Sequence, residues 1–252
     1  MNNKKKLEGV FTSVYQENLW GDDSSVSGPG SSLEQTGVIR ERIIELIGKY
    51  NIKTIVDAPC GDFFWMKEVV NKTSGSINLY IGVDIVEELV LNNQTKYGSD
   101  KIEFLNMNLT HQIVPEADLI ICRDCFLHLS YRNIYNILNN FKLSGADYIL
   151  ASTYTRHKNK NVYKFSVEGR AINLELFPFQ IKNQLVSVNE DYHGQNEEYN
   201  DKSLNLIRVE SIDLKRIFGR ILISEMVFIP CFLFFDPLKR IYHKILRLIK
   251  RI

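Results

Sequence analysis

Two acids, one imidazole and one glycine turn carry most of the chemistry legible in this chain. Asp57 and Asp84 stand 27 residues apart, and each closes a short apolar run, Ile52-Lys-Thr-Ile-Val-Asp57 and Leu79-Tyr-Ile-Gly-Val-Asp84. Runs of that kind make buried strands, and an acid at the edge of a buried sheet needs a reason to be there. A carboxylate at the end of a second strand can accept both hydroxyls of a ribose. The first acid opens Asp57-Ala58-Pro59-Cys60-Gly61-Asp62, a tight strand-to-helix turn. Gly61 lets the backbone approach a ligand closely and Pro59 stiffens the turn. A single glycine falls short of the G-x-G-x-x-G spacing that bares amides to a dinucleotide pyrophosphate, so an NAD enzyme is a distant alternative. Farther on, Asp124 and His128 are four residues apart. If a helical turn follows the strand they share a face, where Asp124 could orient His128 as a general base. The plainer alternative is a capping Asp124 and a satisfied structural histidine.

Positioning these groups requires strand ends gathered at one edge. From about residue 33 the chain alternates helical and strand patterns, as parallel βαβ units do. Ser31-Ser-Leu-Glu34 reads as a capping box ahead of a helix carrying Val38, Ile39, Ile43, Leu46 and Ile47. Strands are expected over 52–57, 79–84, 102–106, 117–122 and 146–152, with helices over 63–70, 86–97 and 131–141. The polar, acidic stretch from Val188 to Lys202 reads as a loop, and Ser203 to Val209 as a late strand. The fold class is therefore α/β: a doubly wound, Rossmann-like domain over 33–212, preceded by an extension over 1–32 and followed by a tail over 213–252. Ligands of such sheets bind beyond the carboxyl ends of the strands, where strand order reverses.

With 252 residues, 44% hydrophobic and 24% charged, the chain can bury a full core, which excludes disorder and coiled coil. Lys plus Arg number 31 against 30 Asp plus Glu, so no global field favours nucleic acid. Four cysteines do not make a disulfide framework, and Cys122-Arg-Asp-Cys125 lacks the second pair that zinc would need. Buried thiols and no metal are expected. Lys4 to Lys6 lead into Leu7-Glu8-Gly9 without an apolar signal region, and 22 Asn and 28 Ile suggest an AT-rich bacterial genome. A cytoplasmic location follows as an expectation. Within 221–252, Met226 to Phe235 is apolar but far short of a bilayer span of roughly 20 residues. Ile241, Ile245, Leu248, Ile249 and Ile252 then fall at helical spacing opposite basic residues. That pattern suits a helix at the inner membrane surface, or one docked on protein.

Val-Asp57-Ala-Pro-Cys-Gly-Asp62-Phe-Phe-Trp65-Met resembles the first motif of class I S-adenosylmethionine-dependent methyltransferases, and Tyr80-Ile-Gly-Val-Asp84 resembles their second. Ala117-Asp-Leu-Ile-Ile-Cys-Arg-Asp-Cys-Phe-Leu-His128-Leu is similar to the fourth-strand motif of a subgroup found in bacterial surface-carbohydrate gene clusters. Val14-Tyr15…Trp20-Gly21…Ser25-Val-Ser-Gly-Pro-Gly30-Ser and Gly169-Arg-Ala-Ile-Asn173 resemble that subgroup too. The resemblance implies S-adenosylmethionine as cofactor. Asp57, Ala58, Cys60 and Gly61 would line its methionine half, with Asp62, Trp65, Trp20 and Arg123 flanking. Asp84 would hold the ribose and Ile85 would pack on the adenine. Asn108 replaces an Asp that many relatives aim at the adenine amino group, and Asn can still accept one hydrogen bond. A small-molecule or carbohydrate acceptor would meet Tyr15, Ser27, Ser31, Tyr154, Arg170 and Asn173, with Arg170 as the clamp for any phosphate or carboxylate. Ser27 to Ser31 is an anion nest or, preferably, the hinge of a lid. The implied reaction is O-methylation of a sugar or phosphate-type group. N-methylation and a non-catalytic cofactor-binding scaffold are the alternatives.

Overall fold

A computed structural model describes residues 3–20, 24–162, 167, 169–192 and 199–227. The run 228–252, with most of the apolar and all of the basic tail pattern, lies outside the described residues. Strands β1 (Thr54–Asp57), β2 (Leu79–Asp84), β3 (Ile102–Asn106), β4 (Leu119–Cys122), β5 (Tyr148–Tyr154), β6 (Gln184–Asn189) and β7 (Lys202–Arg208) form one sheet. Their order is β3-β2-β1-β4-β5-β7-β6. β1 to β5 are parallel, while β7 runs antiparallel to both β5 and β6. The chain builds outward from β1 to β3 and then returns to place β4 on the other side of β1. That reversal opens a crevice between the ends of β1 and β4.

Because both faces of the sheet are covered, the central strands β1 and β4 are apolar at their middles. Along β1, Ile55 joins one core with α2 (Gly37–Lys49) and α3 (Met66–Lys72), while Val56 joins the other with α5 (Tyr131–Leu143). β4 alternates likewise: Leu119 and Ile121 face the first core, Ile120 and Cys122 the second. Ser130 caps α5 by accepting from the Asn133 N–H (3.2 Å), and Ile134, Ile137, Leu138 and Phe141 form its buried stripe. Each such side chain contributes about 1.5–3 kcal/mol. α4 (Glu87–Tyr97) and α6 (Leu214–Val227) complete the helical layers. None of the described helices is long and apolar enough to cross a membrane.

Two expectations are corrected. α2 begins at Gly37 with Thr36 before it and no side-chain cap, so Ser31 to Glu34 is not a capping box. Ser31 instead ends a short 3-10 turn begun by Pro29, and the Ser32 hydroxyl accepts from the Gln35 N–H (3.2 Å). The N-terminal extension, whose secondary structure the sequence leaves open, contains a helix, α1 (Asn3–Gln16), whose Leu7, Phe11 and Val14 turn toward the domain. The second correction is that β6 enters the stretch expected to be loop: its alternating, half-exposed pattern is that of an edge strand.

Ile120 is wholly buried at the centre of the sheet. Ile120→Ala should cost about 2–5 kcal/mol in urea unfolding, and a smaller loss would mean that the core collapses around the gap.

Candidate active site

A cavity of about 500 Å³ opens over the carboxyl ends of β1, β2 and β4. At its floor Asp57 is 2% exposed, and its Oδ2 accepts from the Tyr80 hydroxyl (2.7 Å). Burial, reinforced by Asp84, drives the Asp57 carboxyl up to about 7 against the opposing Tyr80 bond and Arg123 charge. Gly61 has a left-handed backbone (φ 54°), and a Cβ there would collide with the Ser27 hydroxyl. The bare turn therefore lets the loop of Ser27 close down on it. Asp84 Oδ2 accepts from the Gly61 N–H (3.2 Å) and Oδ1 from Val86 N–H (3.1 Å), which fixes the carboxylate at the end of β2. Burial raises its pKa, while these backbone bonds oppose the rise.

Past β4 the chain turns through Asp124, again left-handed (φ 52°), into a 3-10 turn over Phe126–His128. Four charges meet here. Arg123 pairs with Glu190 (Nη2–Oε2 2.7 Å) and lies 3.4 Å from Asp124. It also donates to the Gly30 carbonyl (2.9 Å) and covers the Trp65 ring at 5.5 Å. Lys202, the first residue of β7, bridges Asp124 (2.6 Å) and Glu190 (3.2 Å). Burial would raise the Asp124 carboxyl, but Lys202 and Arg123 outweigh it and hold the group at about 2. A carboxylate so firmly ionised is a poor proton acceptor at neutral pH. His128 stands across the cavity, its ring 5.4 Å from that of Trp20 and edge-on to Phe11 at 6.3 Å.

Most of the residues singled out by sequence converge on this cavity. Asp57, Cys60, Gly61, Trp65, Asp84, Ile85, Asn108, Arg123, Asp124 and His128 line it, as do Tyr15, Trp20, Ser27, Ser31, Tyr154 and Arg170. Ala58, Asp62 and Asn173 do not. Ala58 is buried in the core. Asp62, expected near a cofactor amino group, instead accepts from Val26 N–H (3.1 Å) and the Ser27 hydroxyl (3.2 Å), tying the loop down. Asn173 bonds the Thr155 carbonyl (3.0 Å) and the Glu175 N–H (2.9 Å), knotting its own loop. Arg170 is no anion clamp: it donates to the carbonyls of Leu127 (2.8 Å), Leu129 (2.6 Å) and Lys160 (2.6 Å). It thereby braces the turn that carries His128. Sequence reasoning missed Glu190 and Lys202, whose polar surroundings read as loop. It also missed Leu7 and Phe11, although the spacing of Leu7, Val10, Phe11 and Val14 is helical. Cys60, Cys122 and Cys125 are buried thiols, and no group of metal-binding side chains occurs among the described residues.

Neither a known protein-family model nor a curated protein sequence matches the chain. Solved structures do. A phosphoethanolamine N-methyltransferase of Haemonchus contortus, solved with phosphoethanolamine and S-adenosylhomocysteine, superposes with TM-score 0.60 at 13% identity over 89% of this chain and 55% of its own. A 1,6-didemethyltoxoflavin-N1-methyltransferase of Burkholderia thailandensis, with S-adenosylhomocysteine bound, gives 0.56 at 13% identity over 80% and 86%. The chain has the class I methyltransferase fold. A third S-adenosylmethionine-dependent methyltransferase, from Clostridium acetobutylicum, gives 0.50 at 12% identity over 82% and 99%. In this methyltransferase fold the cavity lies at the switch point, with the conformationally special residues Gly61 and Asp124 on its two sides.

Two measurements probe the buried charges. Folding raises the Asp57 pKa from 3.8 to about 7, so the native state keeps a proton that the unfolded chain releases. Stability therefore falls as pH rises from about 4 to about 7, by roughly 4 kcal/mol in total. Asp57→Asn should lose that slope and overtake the parent above pH 7 in urea titrations; parallel curves would refute the assignment. Lys202→Met leaves Asp124 and Glu190 sharing Arg123, and should cost about 3–5 kcal/mol.

Proposed function

We propose that this protein is an S-adenosylmethionine-dependent methyltransferase acting on a hydroxyl of a small-molecule or carbohydrate acceptor. One observation carries the reading: Asp84 and the bare Gly61 turn face a switch-point cavity that His128 also lines, beside a separate polar wall. The residues fit the cofactor chemically. A carboxylate at the end of β2 suits a ribose diol. The partnerless buried Nδ2 of Asn108 suits a heterocycle. When bound, S-adenosylmethionine supplies a sulfonium-activated methyl group as electrophile.

The chain's own residues would then divide the work. Asp84 would hold the ribose, Asp57 would face the cationic methionine end, and Ile85 would pack on the base. A cation beside Asp57 favours its ionised form, so cofactor binding should release a proton near pH 6. His128 would take the proton of the acceptor hydroxyl, while Trp20 and Phe11 would exclude water around it. Asp124, already paired with Lys202, stays charged and holds a neighbouring acceptor group. A sugar suits this wall because Ser31, Asp124 and Lys202 offer mixed donors and acceptors beside the rings of Tyr154, Tyr192 and Tyr199. The resemblance to the surface-carbohydrate subgroup points the same way, toward capsular or surface polysaccharide modification. An amine acceptor is the second reading, favoured by the Asp124 carboxylate among those rings.

Calorimetry should give micromolar binding of S-adenosylhomocysteine that Asp84→Ala abolishes, and no binding would end the proposal. With an acceptor in hand, His128→Ala should cut turnover by about 10²–10⁴-fold at unchanged S-adenosylhomocysteine affinity. Full activity in that variant would remove His128 as the base.

A further inference from the structure

The loop that follows β5 is built in alternation. His157, Asn159 and Asn161 turn inward. His157 Nδ1 meets Asp201 Oδ2 (3.2 Å), Asn159 Nδ2 donates to the Asn173 carbonyl (2.7 Å), and Asn161 Oδ1 accepts from the Tyr131 N–H (2.9 Å). The residues between them, Arg156, Lys158 and Lys160, are exposed. Among the described residues no carboxylate pairs with any of the three, and the Arg156 guanidinium donates to the Asn200 side-chain oxygen. Inward anchors thus hold a row of cations toward solvent, beginning two residues beyond Tyr154 of the cavity wall.

A second feature arrives at the same edge. α6 runs back along α5: Lys142, near the end of α5, donates to the Ile212 carbonyl (2.8 Å), and the rings of Phe218 and Tyr135 lie 5.2 Å apart. At the start of α5, Arg132 pairs with Glu225 (Nε–Oε1 3.2 Å). The chain therefore reaches Val227 at the carboxyl edge of the sheet, close to the Tyr131 amide that Asn161 holds. There the sequence enters the apolar stretch Met226 to Phe235, and six Lys or Arg with no acid follow Asp236. The whole chain is nearly neutral, 31 basic against 30 acidic residues, so these cations act by their placement. A soluble polyanion would call for cations alone. Apolar residues continuous with cations suit a lipid surface, the former entering the acyl boundary and the latter meeting anionic headgroups.

We infer that the carboxyl edge of the sheet docks on an anionic bilayer, with Arg156, Lys158, Lys160 and the segment beyond Val227 on one surface and the cavity mouth beside it. An acceptor held at a membrane would then be within reach of the cavity. The docking itself needs no cofactor and stands apart from the methyltransferase reading.

The test is flotation of the whole chain with vesicles of phosphatidylcholine alone or with about one-third phosphatidylglycerol. The mixed vesicles should carry the protein, the pure ones should not, and raised salt should release it. A variant combining Arg156→Gln, Lys158→Gln and Lys160→Gln should bind mixed vesicles at least about tenfold more weakly, each cation near such a surface being worth roughly fivefold. Its urea midpoint should match the parent's, because the inward anchors are untouched. Lys72, Lys101 and Lys215 are exposed at the opposite edge of the sheet. Changing all three to Gln removes the same charge and should leave vesicle binding within about twofold of the parent. Equal losses in the two variants would mean a general charge effect, and parent-like binding by the loop variant would leave the tail alone in contact; either overturns the inference. Failure of mixed vesicles to float the parent would overturn it too, and capture by dextran sulfate in that case would assign the row to a soluble polyanion.

Discussion

Charge buried at the carboxyl edge of the sheet is the constraint to which the rest of the molecule responds. Asp57, Asp84, Arg123, Glu190 and Lys202 are each less than 9% exposed, and none could remain there as an isolated ion. The two sides of the crevice solve this differently. On the β1–β2 side no cation among the described residues pairs directly with the acids, so Asp57 turns to a tyrosine hydroxyl and a proton, and Asp84 to backbone amides. On the β4–β7 side the acids find cations, and Asp124 is fully ionised. One cavity thus has a wall hungry for positive charge facing a wall already neutral. That asymmetry is what a cationic cofactor and an uncharged acceptor would require of it.

The N-terminal segment is held by the same charges. Arg123 reaches from the end of β4 to the Gly30 carbonyl, and Asp62 reaches from the β1 turn to Val26 and Ser27. The loop is thus pinned from both sides of the switch point, and Trp20 anchors to the Val167 carbonyl (3.1 Å). α1, by contrast, meets α4 through exposed polar contacts of Tyr15 with Asn92 and Gln16 with Glu88, backed by Leu7 and Phe11. Exposed pairs of this kind contribute little, so α1 is the part of the cover most easily lifted.

Much of this was legible in the sequence, for physical reasons that can be stated. Strands β2 and β3 have the expected bounds because each is a short apolar run set between turn residues and a polar strand end. Their carboxyl-end residues then had to meet at the switch point, which is why Asp57, Asp84 and Asn108 line one cavity. The residues that escaped belong to long-range pairings. Lys202 and Asp124 are 78 positions apart, and Arg123 and Glu190 are 67 apart. Nothing local distinguishes a lysine that will be buried by such a pairing from one that faces water. Arg170 failed in the opposite sense. An arginine in the right motif suggested a ligand, yet three carbonyls at fixed positions satisfy it. Asp62 erred for the same reason, its partners being backbone and hydroxyl groups of a loop 35 residues earlier.

The two tryptophans of the chain end up with different companions. Trp65 lies under the guanidinium of Arg123, a charge that does not change over any pH at which the protein is folded. Trp20 lies against the imidazole of His128, ring centroids 5.4 Å apart. The two indoles of the chain thus sit against different partners, one a fixed cation and the other an imidazole, on the lining of a single cavity.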